Sequence, residues 1–166
     1  MKTIIVTTLI LLMILPIGCE KNDSSDKFIG GVTFTNIVSG TDNDYLSDSI
    51  IVSYNEIIGY DSNQYLFLLS ETAGERIRSV RYPVSPTRLA IAVDGDIVYI
   101  ANFIPGYSSI LCEECITIEP YSYDNKYRVK LGYPAPSGLY SDTDPRNDDR
   151  IISRFKRDNK LMDIEE

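Results

Sequence analysis

The 166-residue chain contains no histidine and no tryptophan. The first absence removes the commonest general base, the usual pH switch and the commonest metal ligand. The second weighs against any reading built on a large flat aromatic platform. Positive charge is also scarce, with 16 Lys and Arg against 24 Asp and Glu, a formal net charge of -8. That balance argues against nucleic acid and anionic membrane surfaces as partners, because both reward basic patches. Cysteine is limited to Cys19, Cys112 and Cys115. A zinc site needs about four ligands, and two thiols without histidine do not supply them. No cofactor and no metal are implied, and no catalytic residue is assigned.

What is present starts with an address. Met1-Lys2 is a short basic start, and Thr3 to Ile14 is apolar apart from three threonines. Gly18 then precedes Cys19. A charged start, a short apolar run and a small residue before the cut describe a signal peptide over 1–18, too short to span and stop. The Gly18-Cys19 junction resembles a bacterial lipobox, with Pro16 where that family usually has Leu. The resemblance implies lipidation of Cys19 and an anchor in the membrane. Residues 19–27 then form the lipidated cysteine and a polar tether. The acidic stretch Glu20 to Lys27 is similar to the export signal of some bacteroidete-type lipoproteins, which implies an outer-membrane, surface-exposed location in the cell envelope. As a whole the chain resembles small uncharacterised lipoproteins of that kind.

Residues 28–166 hold enough apolar sequence for one domain with a core, 43% of the chain being hydrophobic. The organising stretch is Gln64 to Phe103. Tyr65 to Leu69 reads as a buried strand. Ser70 offers a helix cap, and Ala73, Ile77 and Val80 form one helical stripe ended by Pro83 and Pro86. Leu89–Val93 and Ile97–Ile100 flank Asp94-Gly95, a strong hairpin signal. Residues 64–103 resemble the head subdomain of the first periplasmic domain of SecD, carried by Phe67, Leu69, Ala73, Ile77 and the run Arg88 to Val98. The resemblance implies a β-α-β-β arrangement and no translocation role.

Around that unit, Phe28 to Val38 alternates as a first strand, and Leu46 to Ile58 reads as short strands or a helical turn. Asp42, Asp44 and Asp48 lack the glycine and closing Glu of a calcium loop, so they read as a solvated turn. Ser109 to Glu119 is a strand interrupted by Cys112-Glu113-Glu114-Cys115. Tyr127 to Leu131 alternates with Arg128 and Lys130 on the wet face. Asp144 and Pro145 open a C-terminal helix with Ile151, Ile152 and Phe155 inward, and Leu161 to Ile164 adds a final edge strand. The fold class is therefore α+β, one domain, with a mostly antiparallel sheet, a β-α-β-β unit and a C-terminal helix.

Three constellations carry chemistry. Cys112 and Cys115 are either a small structural disulfide or two buried thiols; the intervening glutamates oppose a low-pKa redox centre. Ser153 and Lys156 match S-x-x-K but lack every partner motif, so they read as helix surface. Tyr99, Tyr107, Tyr121, Tyr123, Tyr127, Tyr133 and Tyr140 crowd one part of the chain. Tyr99 and Tyr127 fit the core. Tyr107, Tyr121, Tyr123, Tyr133 and Tyr140 lie in loops, where tyrosine favours binding surfaces. The function expected is a non-catalytic binding or interaction module with a protein or carbohydrate ligand, presented by loops 104–109, 120–126 and 132–143. The alternatives are an accessory subunit of an envelope complex using strand edges, and a small thiol-redox or carboxylate hydrolase enzyme.

Overall fold

A computed structural model describes residues 30–39, 44–135 and 144–165. Its strands are β1 (Val32–Ser39), β2 (Asp44–Val52), β3 (Ile57–Asp61), β4 (Leu66–Leu69), β5 (Thr87–Val93), β6 (Asp96–Phe103), β7 (Cys112–Ile118) and β8 (Lys126–Tyr133). The helices are α1 (Glu71–Ser79) and α2 (Asp149–Arg157), the latter near the C-terminus. All eight strands form one sheet in the order β2-β1-β5-β6-β7-β8-β4-β3. Every neighbouring pair is antiparallel except β6 and β7. The α+β class, the mostly antiparallel sheet and the C-terminal helix are as the sequence indicates.

The connectivity forces the sheet to curl. β2 and β3 are its two edges, yet only the short turn Tyr54–Glu56 and its flanking residues join them. In a flat sheet seven strand spacings would separate those edges by about 34 Å. Five residue steps reach at most about 18 Å. The sheet therefore bends until its edges approach, and Phe34 of β1 meets Phe67 of β4 with ring centroids 5.0 Å apart. α2 closes the interior with Ile151 and Phe155, both fully buried.

The hairpin signal is met as written: Asp94 and Gly95 have φ of 52° and 94° between the paired strands β5 and β6, the left-handed pair that matches strand twist. Ser70 caps α1 by accepting from the Ala73 N–H at 3.3 Å. Ala73 and Ile77 are buried, but the helix ends at Ser79, before the prolines, and Val80 stands extended and exposed. Asp144 does cap, but it caps a single 3-10 turn, Pro145–Asn147; α2 begins a turn later, capped by Asp148. The expected strand over Leu161 to Ile164 shrinks to one bridge, Leu161 to Tyr60. The reason is side-chain competition. Asp61 Oδ2 accepts from the Ile164 N–H at 3.0 Å, and Gln64 Nε2 donates to its carbonyl at 2.7 Å.

Candidate functional site

The loop tyrosines are sorted by where their rings end up. Tyr107 is 59% exposed, and its hydroxyl donates to the Tyr82 carbonyl at 2.8 Å. The Tyr121 hydroxyl accepts from the Tyr82 N–H at 3.3 Å and donates to the Val80 carbonyl at 3.1 Å. Their rings lie 6.1 Å apart and 33° from parallel. Tyr121 in turn meets Tyr82 edge-on at 5.7 Å, and Tyr82 meets the buried Phe103 at 5.3 Å. Exposed Val80 and Val84 flank this pair. Ser108 Oγ donates to the Val84 carbonyl at 2.8 Å, tying the two loops together. Tyr133 sits behind them: its hydroxyl is 3.1 Å from the Ser108 carbonyl, so it braces the loop. Tyr123, 92% exposed, stands in solvent by itself. Tyr140 and Cys19 lie outside the described residues. Of the two tyrosines assigned to the core, Tyr99 and Tyr127 are both buried.

The loop that carries Tyr121 is held from beneath by α1. Arg78 donates to the Ser122 carbonyl at 2.9 Å and to Asn125 Oδ1 at 2.6 Å. Asn125 Nδ2 donates to Glu71 at 2.7 Å. Gly74 makes the approach possible, since a Cβ there would lie 2.0 Å from Asn125 Oδ1. The pair is therefore tied in place, with the hydroxyls of exposed Tyr107 and half-buried Tyr121 both committed to backbone.

Beside it runs a second feature, of which the alternation of Tyr127 to Leu131 already places Arg128 and Lys130 on the wet face. Lys126, Arg128 and Lys130 alternate along β8 and face outward, so three cations share one face of one strand in an acidic chain. A cavity of about 320 Å³ opens here, lined among others by Glu119, Ser122, Lys126 and Lys130. Burial raises the Glu119 carboxyl above its ordinary pKa; the Tyr121 N–H and the nearby Lys130 charge only partly offset it. Arg128 donates to Gln64 Oε1 at 2.8 Å. Lys126 bonds the Glu165 carbonyl and lies 3.8 Å from Asp124. On the far side of Arg128 and Lys130 a second cavity, about 350 Å³, is bounded by Tyr65 and Arg146. The Arg146 guanidinium stacks 3.5 Å over the Tyr65 ring and donates to the Val129 carbonyl at 3.0 Å. It also holds the Asp144 carboxyl below the usual range. Tyr65 takes a left-handed φ of 55°, a strained conformation for a bulky side chain.

Cys112 and Cys115 are joined in a disulfide within β7, their Cα atoms 5.8 Å apart. Three residues of extended strand would span about 10 Å, so the bond gathers the strand. Accordingly the β7–β8 register slips between Cys112↔Tyr133 and Ile116↔Leu131. Ser153 is exposed on α2 beside Arg150, Arg154 and Arg157, which pair with Asp148, Asp94 and Asp158. Among the described residues no group of three or more acids or cysteines is placed to hold a metal, and no helix is long and apolar enough to cross a membrane. What the arrangement offers is recognition chemistry: two fixed aromatic faces, hydrogen-bonding groups and a row of cations. No protein-family model, no curated protein and no solved structure matches the chain.

Proposed function

We propose that the chain is a lipid-anchored, non-catalytic binding module of the bacterial cell envelope that engages carbohydrate through Tyr107 and Tyr121. The envelope assignment rests on the signal sequence and the Gly18-Cys19 junction. The binding reading rests on one observation: the Tyr107 ring is exposed beside the half-buried Tyr121 ring, and both hydroxyls are tied to backbone, at the Tyr82 and Val80 carbonyls. Rings fixed in advance lose little rotamer freedom on binding. With the hydroxyls committed, the rings offer π-faces, whose negative charge suits the C–H face of a sugar ring. Glu119, Ser122 and Lys126 beside them supply partners for sugar hydroxyls. The accessory-subunit alternative looks to strand edges, and the outer edge of β3 is already engaged, its Tyr60 pairing with Lys160 and Met162. A glycan-array screen of the mature chain, repeated with Tyr107→Ala, tests the reading. Binding to a defined glycan that this substitution abolishes supports it; binding untouched by the substitution contradicts it.

A further inference from the structure

The slip in the β7–β8 ladder is uneven. Between Cys112↔Tyr133 and Ile116↔Leu131, β7 places three residues, Glu113 to Cys115, against Gly132 alone on β8. Gly132 takes a left-handed φ of 80° at this point. Were the Ile116↔Leu131 register to run on, Cys115 would face Gly132 and Glu114 would face Tyr133. The disulfide forbids that arrangement. Its Cα atoms are 5.8 Å apart. In extended strand the same two residues would stand about 10 Å apart, beyond the roughly 7 Å that a disulfide can bridge. Continuous pairing and the Cys112–Cys115 bond are therefore mutually exclusive. Both cysteines are partly exposed, so the bond sits at the surface and not in the core.

What flanks the bond decides what moves with it. Beyond Cys115 the strand is clamped. Thr117 and Ile118 pair with Asn102 and Phe103 of β6, and Ile116 to Ile118 pair with β8. The Ile118 carbonyl also accepts from the Ile104 N–H at 3.1 Å. Before Cys112 lies the loop 104–111, which carries Tyr107. One end of this loop is thus fixed at Ile104, and the other runs into Cys112. Lengthening 112–115 toward an extended strand carries that second end outward by about 4 Å. It also takes Cys112 away from Tyr133, whose hydroxyl lies 3.3 Å from the Pro105 carbonyl and 3.1 Å from the Ser108 carbonyl. The loop is therefore tied to the disulfide twice, through the chain and through that hydroxyl.

We propose that Cys112–Cys115 is a thiol–disulfide exchange site whose redox state sets the position of the loop carrying Tyr107. The co-reactant is a dithiol. One of its thiolates attacks a sulfur of the bond, and the other cysteine leaves and takes up a proton. The second thiol of the reductant then resolves the mixed disulfide and frees the remaining cysteine. One S–S bond breaks in the chain, one forms in the reductant, and two electrons and two protons end on Cys112 and Cys115. β7 then extends to pair Cys115 with Gly132 and Glu114 with Tyr133, and the loop is released. The switch acts on the loop itself and does not depend on what Tyr107 binds.

Hydrogen exchange read by mass spectrometry tests it, on the mature chain with and without dithiothreitol and with no saccharide present. Thiol alkylation first establishes that Cys112 and Cys115 are reduced. Reduction should slow exchange several-fold at 113–115, where ladder bonds form, and speed it several-fold at 106–111, while β5 and α2 keep their rates. The double variant Cys112→Ser, Cys115→Ser should show the reduced pattern without dithiothreitol and should not respond to it. Faster exchange at 113–115, or faster exchange through β5 and α2 as well, makes the bond a plain staple and overturns the switch. Unchanged exchange at 106–111, a bond that dithiothreitol leaves intact in the folded chain, or a response to dithiothreitol that persists in the double variant overturns it too.

Discussion

The molecule has two aromatic clusters, and they differ in what lies on the far side of the rings. Inside the curled sheet, Tyr60 stacks on Phe155 at 5.3 Å and meets Phe67 at 4.6 Å, and all three are fully buried. A second chain of contacts runs outward from buried Tyr82 through half-buried Tyr121 to Tyr107, and of the three only Tyr107 stands exposed. Hydroxyl satisfaction does not separate them. Tyr60 donates toward the Arg146 carbonyl and Asn147 Oδ1 just as Tyr107 donates to Tyr82. The difference is desolvation. The buried rings turn apolar area into stability, whereas the Tyr107 ring is held in place and still open to water.

The sharpest way to break this comparison is to remove one ring from the interior. Phe155→Ala should destabilise by about 3–5 kcal/mol through lost burial and a cavity, read by denaturant unfolding. Next comes Asp61, a buried carboxylate that accepts from the N–H groups of Asn63, Gln64 and Ile164. Burial pushes its pKa up, and those bonds more than reverse this, so it sits below the ordinary value. A lowered folded pKa means stability that is present above the unfolded value near 3.9 and lost as pH falls through the folded one. Asp61→Asn should therefore cost about 1.5–3 kcal/mol at pH 7 and flatten the acid limb of a stability-against-pH curve.

Smaller effects sharpen the contrast. Gly74→Ala normally favours a helix by up to about 1 kcal/mol. Here the new methyl would collide with Asn125, so the sign should reverse to a loss of about 1–3 kcal/mol, with NMR shifts concentrated in residues 120–126. Tyr99 is the exception to satisfied interior hydroxyls: its buried oxygen has no hydrogen-bond partner among the described residues. Tyr99→Phe removes an unsatisfied group and should stabilise by about 1 kcal/mol, whereas Tyr60→Phe should lose a similar amount. A thermal melt of both variants checks the opposed signs.

How much of this is legible in the chain depends on range. The Asp94-Gly95 hairpin and the Ser70 cap are local chemistry and read directly. The start of α2 does not, because Asp144 and Asp148 are equally good caps and only the Arg146 contacts with Asp144 and Val129 decide between them. Placing β4 beside β8 and β6 parallel to β7 depends on long-range pairing that periodicity does not encode. Tyr107 and Tyr121 were visible as loop tyrosines, but Tyr82, which joins them to the core, lies just past a helix and gave no signal. Arg128 and Lys130 read as an ordinary wet face. Their cavity exists only because Tyr65 and Arg146, distant in sequence, fold against β8.

The central claim is that the outer cluster is a binding surface and not a brace. The direct test is one sample of the double variant Tyr107→Ala, Tyr121→Ala, measured by thermal melting and by titration with the saccharide that the native chain binds. The account predicts a melt far closer to native than that of Phe155→Ala, together with loss of saccharide binding. A melt as early as that of Phe155→Ala, or undiminished binding, would contradict it.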